Sequence, residues 1–151
     1  MNRLQFFLHA KTEYNLHSPF VFDLYRKVLF AQLDKDTLTM LGLHRSDRYH
    51  QLIYKLVNHL QPATLYVPTI DAVTTRIAST ANSHVRVSDC LEDFNSHPEL
   101  AVCPSPHHNA EKERHWQHLT QLHDATTAID LYYAGVVLFD KRLSRQTFLL
   151  R

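Results

Sequence analysis

Apolar residues at spacings of three and four predict three helices in residues 1–61, because residues so spaced share one face of a helix. The first helix has an apolar face of Leu4, Phe7, Leu8 and Tyr14. The second begins at Ser18-Pro19, since serine accepts a hydrogen bond as N-cap and proline suits the first helical position. Its apolar face consists of Phe20, Val21, Leu24, Tyr25, Val28 and Leu29. The third runs from a Ser46 cap to Pro62, with Tyr49, Leu52, Ile53, Leu56, Val57 and Leu60 on its apolar face. The stretch from Gln32 to Arg45 predicts no definite element.

Beyond Pro62, short β-branched segments alternate with helical ones. Strands are predicted at Thr64–Val67, His84–Ser88 and Leu100–Cys103. One helix begins at Asp71 and turns Val73, Ile77 and Ala81 inward. A polar helix over Ala110–Leu122 carries a narrow apolar stripe of Trp116, Leu119 and Leu122.

The most hydrophobic stretch lies near the end of the chain. Ile129–Tyr133 and Val136–Phe139 flank Gly135, and Gln146–Leu150 predicts a last strand. The first two segments are either two strands or one long strand paired with the tail, because Ala134-Gly135 is a poor hairpin signal. Adjacent residues of a strand face opposite sides, so Tyr132 and Tyr133 are expected on different faces.

Strand–helix alternation followed by consecutive strands predicts an α/β fold with a mainly parallel sheet and antiparallel C-terminal strands. At 151 residues, the chain is long enough for one core. We expect a single domain over residues 1–151, made of a helical segment (1–61) and a reduced α/β core (62–151).

Charge and cysteine usage exclude several classes of function. The formal net charge is +1 and no block of like charges occurs, so neither nucleic acid nor a membrane surface is an expected partner. No stretch approaches the length of a membrane span, and the apolar run Leu4–Leu8 is too short for a signal segment. The two cysteines, Cys90 and Cys103, do not form a disulfide framework. A reduced cytoplasmic protein with free thiols is predicted.

Glycine is scarce where a nucleotide-binding loop would need it. The chain has two glycines, Gly42 and Gly135, and neither follows the strand Thr64–Val67. A loop that cradles a cofactor needs residues that tolerate positive φ and allow close approach to the backbone. Pro68 lacks an N–H group, and Thr69 and Ile70 are stiff and β-branched. The loop leading to Asp71 is therefore unsuited to that task.

Two segments carry a resemblance to a known family. His17-Ser18-Pro19-Phe20-Val21-Phe22-Asp23 resembles the N-terminal signature of bacterial class I S-adenosylmethionine-dependent methyltransferases related to the O-methyltransferases, and Ala128–Phe139 resembles their last core strands. The helix Tyr49–Leu60, leading through Gln61-Pro62-Ala63 into a strand, matches as well. The similarity is strong at both ends of the chain and weak between them. It implies a shortened Rossmann-like methyltransferase sheet.

The resemblance also implies where a cofactor would lie. Family members place an acid and two glycines after the first strand, where this chain has Val67, Pro68, Thr69 and Asp71. Asp89 matches the acid that holds the ribose hydroxyls, about 20 residues past the first-strand loop; otherwise it is a strand-end carboxylate in solvent.

Two further departures from the family pattern concern the next strand and the length of the chain. His107 aligns with a family histidine, whereas Pro104 replaces the acid that precedes it. Family strands three and five are missing after Leu91 and Leu122. Their loss contracts the family order 3-2-1-4-5-7-6 to 2-1-4-7-6.

Three functions follow as hypotheses. The first is a non-catalytic relative without cofactor, kept for interaction or regulation; the alternative is a surviving S-adenosylmethionine-dependent methyltransferase. The third hypothesis is a histidine metal site, which rests on the run His107, His108, His115, His118 and His123. Within this run, only His115 and His118 have the spacing of metal ligands on one helix face. We therefore predict no metal and no catalytic residue.

A homodimer is also predicted. Loss of outer strands would leave the apolar segments Ile129–Tyr133 and Val136–Phe139 at an uncovered edge, and exposed edges invite pairing with a second copy. The expected interface uses these C-terminal strands, the N-terminal helices, or both.

Overall fold

A computed structural model describes residues 1–12 and 16–151. The helices are α1 (Arg3–His9), α2 (Pro19–Leu24), α3 (Lys35–Leu41), α4 (Arg48–Leu60), α5 (Ala72–Ala81) and α6 (Ala110–Thr120). The strands are β1 (Thr64–Tyr66), β2 (Arg86–Ser88), β3 (Leu100–Pro104), β4 (Thr127–Asp130), β5 (Ala134–Leu138) and β6 (Gln146–Leu149). A π-helical turn over Tyr25–Leu29 continues α2, and a 3-10 turn spans Leu91–Asp93.

The helical segment has four α-helices in its described part, whereas the sequence predicted three. The additional helix, α3, lies in the stretch that predicted no element. Its ends carry ordinary signals, since the Asp34 side chain accepts from Thr37 N and Gly42 ends the helix at a φ of 67°. The buried face of α3 consists of Leu38 and Leu41. Two apolar positions are too few for their spacing alone to predict a helix.

Two details of the predicted helices are wrong. In α1, Leu4 and Leu8 are 71% and 74% exposed, and Phe6 is the buried residue; Tyr14 lies outside the described residues. The N-cap of α4 is Asp47, because the Ser46 hydroxyl lies 2.8 Å from His44 Nδ1 instead of capping the helix. The cap at Ser18 is confirmed, with Val21 N donating to its hydroxyl oxygen over 3.4 Å.

The six strands form one mixed sheet in the order β2-β1-β3-β5-β4-β6. Strand β1 is parallel to β2 and β3, and β4 is parallel to β6. Strand β5 is antiparallel to both of its neighbours, β3 and β4. The predicted α/β fold and the contracted strand order are confirmed, and β6 adds one strand beyond that order.

The C-terminal apolar stretch is a hairpin of two strands, which decides between the two alternatives. The chain turns at residues 131–133, with Tyr132 at a φ of 67°, and Gly135 lies within β5. The expectation that Tyr132 and Tyr133 face opposite sides of a strand is therefore wrong. The break in the hydrophobic stretch comes before Gly135 because the Asp130 carboxylate accepts a hydrogen bond from Tyr132 N and stabilises the turn there.

Helices cover both faces of the sheet. On one face α2, α4 and α5 pack on Leu65, Val102 and Val136, and on the other α6 packs through Trp116 on Val137. In α5, Ile77 and Ala81 are buried as predicted, whereas Val73 is 36% exposed and Thr74 is buried in its place. The larger core cluster joins residues of the helical segment and of the sheet.

The apolar C-terminal strands are covered, which removes the premise of the dimer prediction. Every residue of β4 and β5 is buried, β5 lies inside the sheet and β6 pairs with β4. Beside β6, Lys11 N donates to Leu149 O and Arg151 N to Lys11 O. The two ends of the chain thus pair beyond the end of β6.

Candidate functional site

The carboxyl ends of the parallel strands mark the candidate site. Strands β1, β3 and β4 end at one edge of the sheet, and ligands of open α/β sheets bind outside that edge. Residues 67–71 follow β1, residues 105–109 follow β3 and residues 131–133 follow β4. These loops bring Val67, Pro68, Thr69, Asp71 and His107 to one side of the molecule.

The loop after β1 is held by contacts of its own residues. Val67 is fully buried and its N–H donates to Ser88 O over 3.1 Å. Asp71 caps α5, accepting from Thr74 N over 2.6 Å, and this hydrogen bond chiefly holds the pKa of the carboxyl below its usual value. His50 Nε2 lies 3.9 Å from the same carboxylate. In the described chain positive φ occurs at Gly42, Gln61, Ser105 and Tyr132, and at none of residues 67–71.

A cavity of about 450 Å³ lies between β1 and β3 at their carboxyl ends. We call it the β1–β3 cavity; its lining includes Tyr66, Pro68, Thr69, Cys103, Pro104 and His115. The Tyr66 hydroxyl lies 3.1 Å from His115 Nε2. Burial raises the pKa of both Tyr66 and the Cys103 thiol to about 12 and lowers that of His115. These three side chains are therefore neutral near pH 7, and no activated nucleophile results.

Asp89 lies apart from that cavity. It is exposed, directly after β2, and is not among the described residues that line the cavity, and the same holds for Val67 and Asp71. Of the predicted cofactor positions, the structure brings Pro68 and Thr69 to the cavity wall. The position of Asp89 fits the other interpretation given above, a carboxylate at the end of a strand and exposed to solvent.

His107 lies in a second, denser cluster at the ends of β3 and β4. Its side chain is 5% exposed, with Nε2 2.5 Å from Asp130 Oδ2 and Nδ1 3.1 Å from Glu113 Oε1. Asp130 is 4% exposed and also accepts from Tyr132 N over 2.9 Å. Both ring nitrogens of His107 thus face a carboxylate oxygen.

A cavity of about 530 Å³ opens beside this cluster. We call it the arginine cavity; Arg3, Arg48, Arg151, His107, Tyr132 and Tyr133 are among its lining residues. The described chain has three non-glycine residues with positive φ, and two of them line this cavity, namely Ser105 at 44° and Tyr132 at 67°. Such strained positions cluster at functional sites. Sequence reasoning singled out His107 but missed the arginines, because they come from the two chain ends and from α4.

The histidine run and the cysteines do not form a metal centre among the described residues. Within 1–12 and 16–151, no group of three or more His, Cys, Asp and Glu side chains is arranged to hold a metal ion. Cys90 is exposed and Cys103 is buried, and both are free thiols. The prediction that both cysteines are free thiols is confirmed.

Comparisons with protein family models, with curated proteins and with solved structures find no match to this chain. In the described part of the chain, no helix has both the length and the apolar character needed to cross a membrane.

Proposed function

We propose that this protein is a non-catalytic, methyltransferase-like domain that has lost its cofactor loop and acts through interaction or regulation. The observation that carries the proposal is the loop after β1. It has no residue at positive φ among 67–71, and its helix N-terminus is capped by the carboxylate of Asp71.

The anionic end of the cofactor is the part that this loop would have to bind. The N-terminus of a helix attracts negative charge, and in a Rossmann-like fold it receives the ligand through free backbone N–H groups. Here Asp71 already accepts the N–H of Thr74 and brings a negative charge to that position. Pro68 contributes no N–H group. A cofactor carboxylate there would be repelled by Asp71 and would find neither a Pro68 N–H nor a free Thr74 N–H.

A titration with S-adenosylmethionine and S-adenosylhomocysteine tests the proposal. We expect no thermal shift at millimolar concentration, whereas a ligand at about 100 times its dissociation constant stabilises by about 2.7 kcal/mol. The variant Asp71→Asn is the matched control for charge at the helix N-terminus. Binding of either compound to the unmodified chain tighter than about 100 μM would overturn the proposal.

The β1–β3 cavity favours the alternative, a surviving S-adenosylmethionine-dependent methyltransferase of unknown substrate. A volume of about 450 Å³ lies within the range of about 300–1,000 Å³ for ligand pockets. If cofactor binds there, Thr69→Trp should abolish binding by filling the cavity, and Arg114→Gln, an exposed change on α6, should not. This outcome would replace the first proposal with the second.

Interaction is proposed to include a homodimer formed through α1. Leu4 and Leu8 lie four residues apart on one helical face and are both largely exposed. Two-fold contacts are the commonest way to cover such a face. Light scattering over a concentration series should give a dimer that Leu8→Lys converts to monomer, while Met40→Lys, at an exposed position on α3, leaves it unchanged. A monomer at high micromolar concentration would exclude this dimer.

We propose that the protein is located in the cytoplasm. Both of its cysteines are free thiols, and disulfides are rare in reducing compartments.

A further inference from the structure

Three arginine side chains line the arginine cavity, and among the described residues no carboxylate side chain does. Arg3 lies in α1, Arg48 is the first residue of α4, and Arg151 follows β6. Among the described residues that line the cavity, none is Asp or Glu. Within 1–12 and 16–151, none of the three arginines has a carboxylate oxygen within 4.0 Å. The nearby acids Asp130 and Glu113 are engaged by His107.

The arginines are held in place by neutral partners. The Arg48 guanidinium carbon lies 3.8 Å from the centroid of the Tyr133 ring, and that of Arg3 lies 5.6 Å from the Phe7 ring. Arg151 Nη1 donates to Phe7 O over 2.9 Å. Stacking on aromatic rings and bonding to a carbonyl orient a guanidinium while leaving its charge uncompensated. Such guanidinium groups suit phosphate, which they bind through paired N–H donors.

An adjoining cavity extends the positive region. It has a volume of about 270 Å³, shares Phe30, Arg48 and Tyr133 with the arginine cavity, and adds Arg45 and Lys55. Burial, and next the charge of Arg48, lower the pKa of Lys55 to about 8. Burial is the larger cause of this shift, and the smaller contribution of Arg48 reflects the proximity of the two cations.

The opposite wall is aromatic. The rings of His107 and Tyr132 stack with centroids 5.5 Å apart and planes inclined by 23°, and Phe6 packs on Tyr132 at 5.2 Å. The left-handed backbone of Tyr132 is fixed by the hydrogen bond from its N–H to Asp130. Tyr132 is partly exposed and lines the cavity, so part of its side chain is accessible to a ligand there.

We propose that the arginine cavity is a binding site for a small aromatic phosphate of mononucleotide size. The phosphate lies among Arg3, Arg48 and Arg151, and the ring lies against Tyr132. The cavity volume of about 530 Å³ lies within the range of about 300–1,000 Å³ for small-molecule sites. This site is separate from the β1–β3 cavity and does not depend on the proposed loss of the cofactor loop.

Calorimetric titration with adenosine 5′-monophosphate tests the proposal, with adenosine and inorganic phosphate as the two partial ligands. The monophosphate should bind with a dissociation constant below about 100 μM, more tightly than either partial ligand, and more weakly as salt is added. The variant Arg48→Gln should weaken binding by about tenfold or more. Arg114→Gln, on α6 outside the cavity lining, should leave it unchanged.

Two further variants separate the parts of the site. Tyr132→Asn keeps a residue that tolerates the left-handed backbone, and it should weaken the monophosphate while leaving inorganic phosphate unaffected. Thr69→Trp, which fills the β1–β3 cavity, should have no effect. Absence of monophosphate binding at millimolar concentration would overturn the proposal. So would binding that is lost in Thr69→Trp and retained in Arg48→Gln, since the ligand would then occupy the other cavity.

Discussion

At the scale of single residues, the contact between His107 and Asp130 stands out because both side chains are almost completely buried. A buried charge is tolerated when it is paired, and removal of one partner leaves the other uncompensated. We predict that His107→Ala lowers the free energy of unfolding by about 3–5 kcal/mol, measured by urea denaturation. The double variant His107→Ala with Asp130→Ala should cost less than the sum of the two single variants. Additive losses would show that the two groups do not interact.

The two cysteines should differ in reactivity for reasons that are equally local. Burial raises the pKa of the Cys103 thiol to about 12, and the thiolate is the reactive form. Cys90 is exposed, although its hydrogen bond to Glu92 also raises its pKa. We expect a thiol reagent to modify one cysteine in the native protein and two in denaturant. Cys90→Ser should abolish the native reaction. Native modification of Cys103 would contradict its burial.

At the scale of elements, the packing of α6 on β5 depends on one glycine. A Cβ placed on Gly135 would lie 2.5 Å from Trp116 Cζ3, which no real contact permits. Because Trp116 is 5% exposed, it cannot move aside into solvent. We predict that Gly135→Ala costs about 1–3 kcal/mol of stability in a denaturant melt. Adding Trp116→Leu should recover part of the loss, and no recovery would place the strain elsewhere.

The cap of α2 gives a second prediction at this scale. Ser18 accepts from Val21 N over 3.4 Å, and Pro19 occupies the first helical position. Ser18→Ala should cost about 0.5–2 kcal/mol, toward the lower end because the hydrogen bond is long. Ser18→Asp is the control, since aspartate also caps helices and should restore the stability. Equal losses in both variants would argue against capping.

At the scale of the whole molecule, stability should depend on pH through Lys55. This residue of α4 donates to Leu29 O and Ala31 O, and burial lowers its pKa from the usual 10.5 to about 8. Between about pH 8 and 10 the unfolded chain holds a proton that the folded chain has released, so this group makes unfolding less favourable as pH rises. The raised pKa of Cys103 acts in the opposite direction above its usual value of 9.0.

Denaturation at pH 7.5 and at pH 9 should separate the contribution of Lys55 from that of Cys103, because the native chain and each lysine variant all contain Cys103. Between these two pH values, the difference in stability between the native chain and Lys55→Met should grow in favour of the native chain. The difference between the native chain and Lys27→Met, a change at an exposed lysine, should stay the same. A relative stability that stays constant would exclude a depressed pKa at Lys55.

The sequence by itself determined the α/β fold and several element ends. Apolar spacing at Leu52, Ile53, Leu56 and Val57 specifies the buried face of α4, and Pro62 ends that helix, because these are local preferences that act within a few residues. The limited backbone freedom of the loop at Pro68 was also predictable, since proline and β-branched residues limit the backbone wherever they occur.

The tertiary structure alone decided how distant segments meet. It paired the tail with β4 and Lys11 with the tail, which closed an edge that local patterns left uncovered. It buried His107 against Asp130, 23 residues away, and gathered arginines from both chain ends and α4 around one cavity. These contacts have no periodic signal in the sequence, because they depend on the closure of long loops and on the packing of side chains remote along the chain.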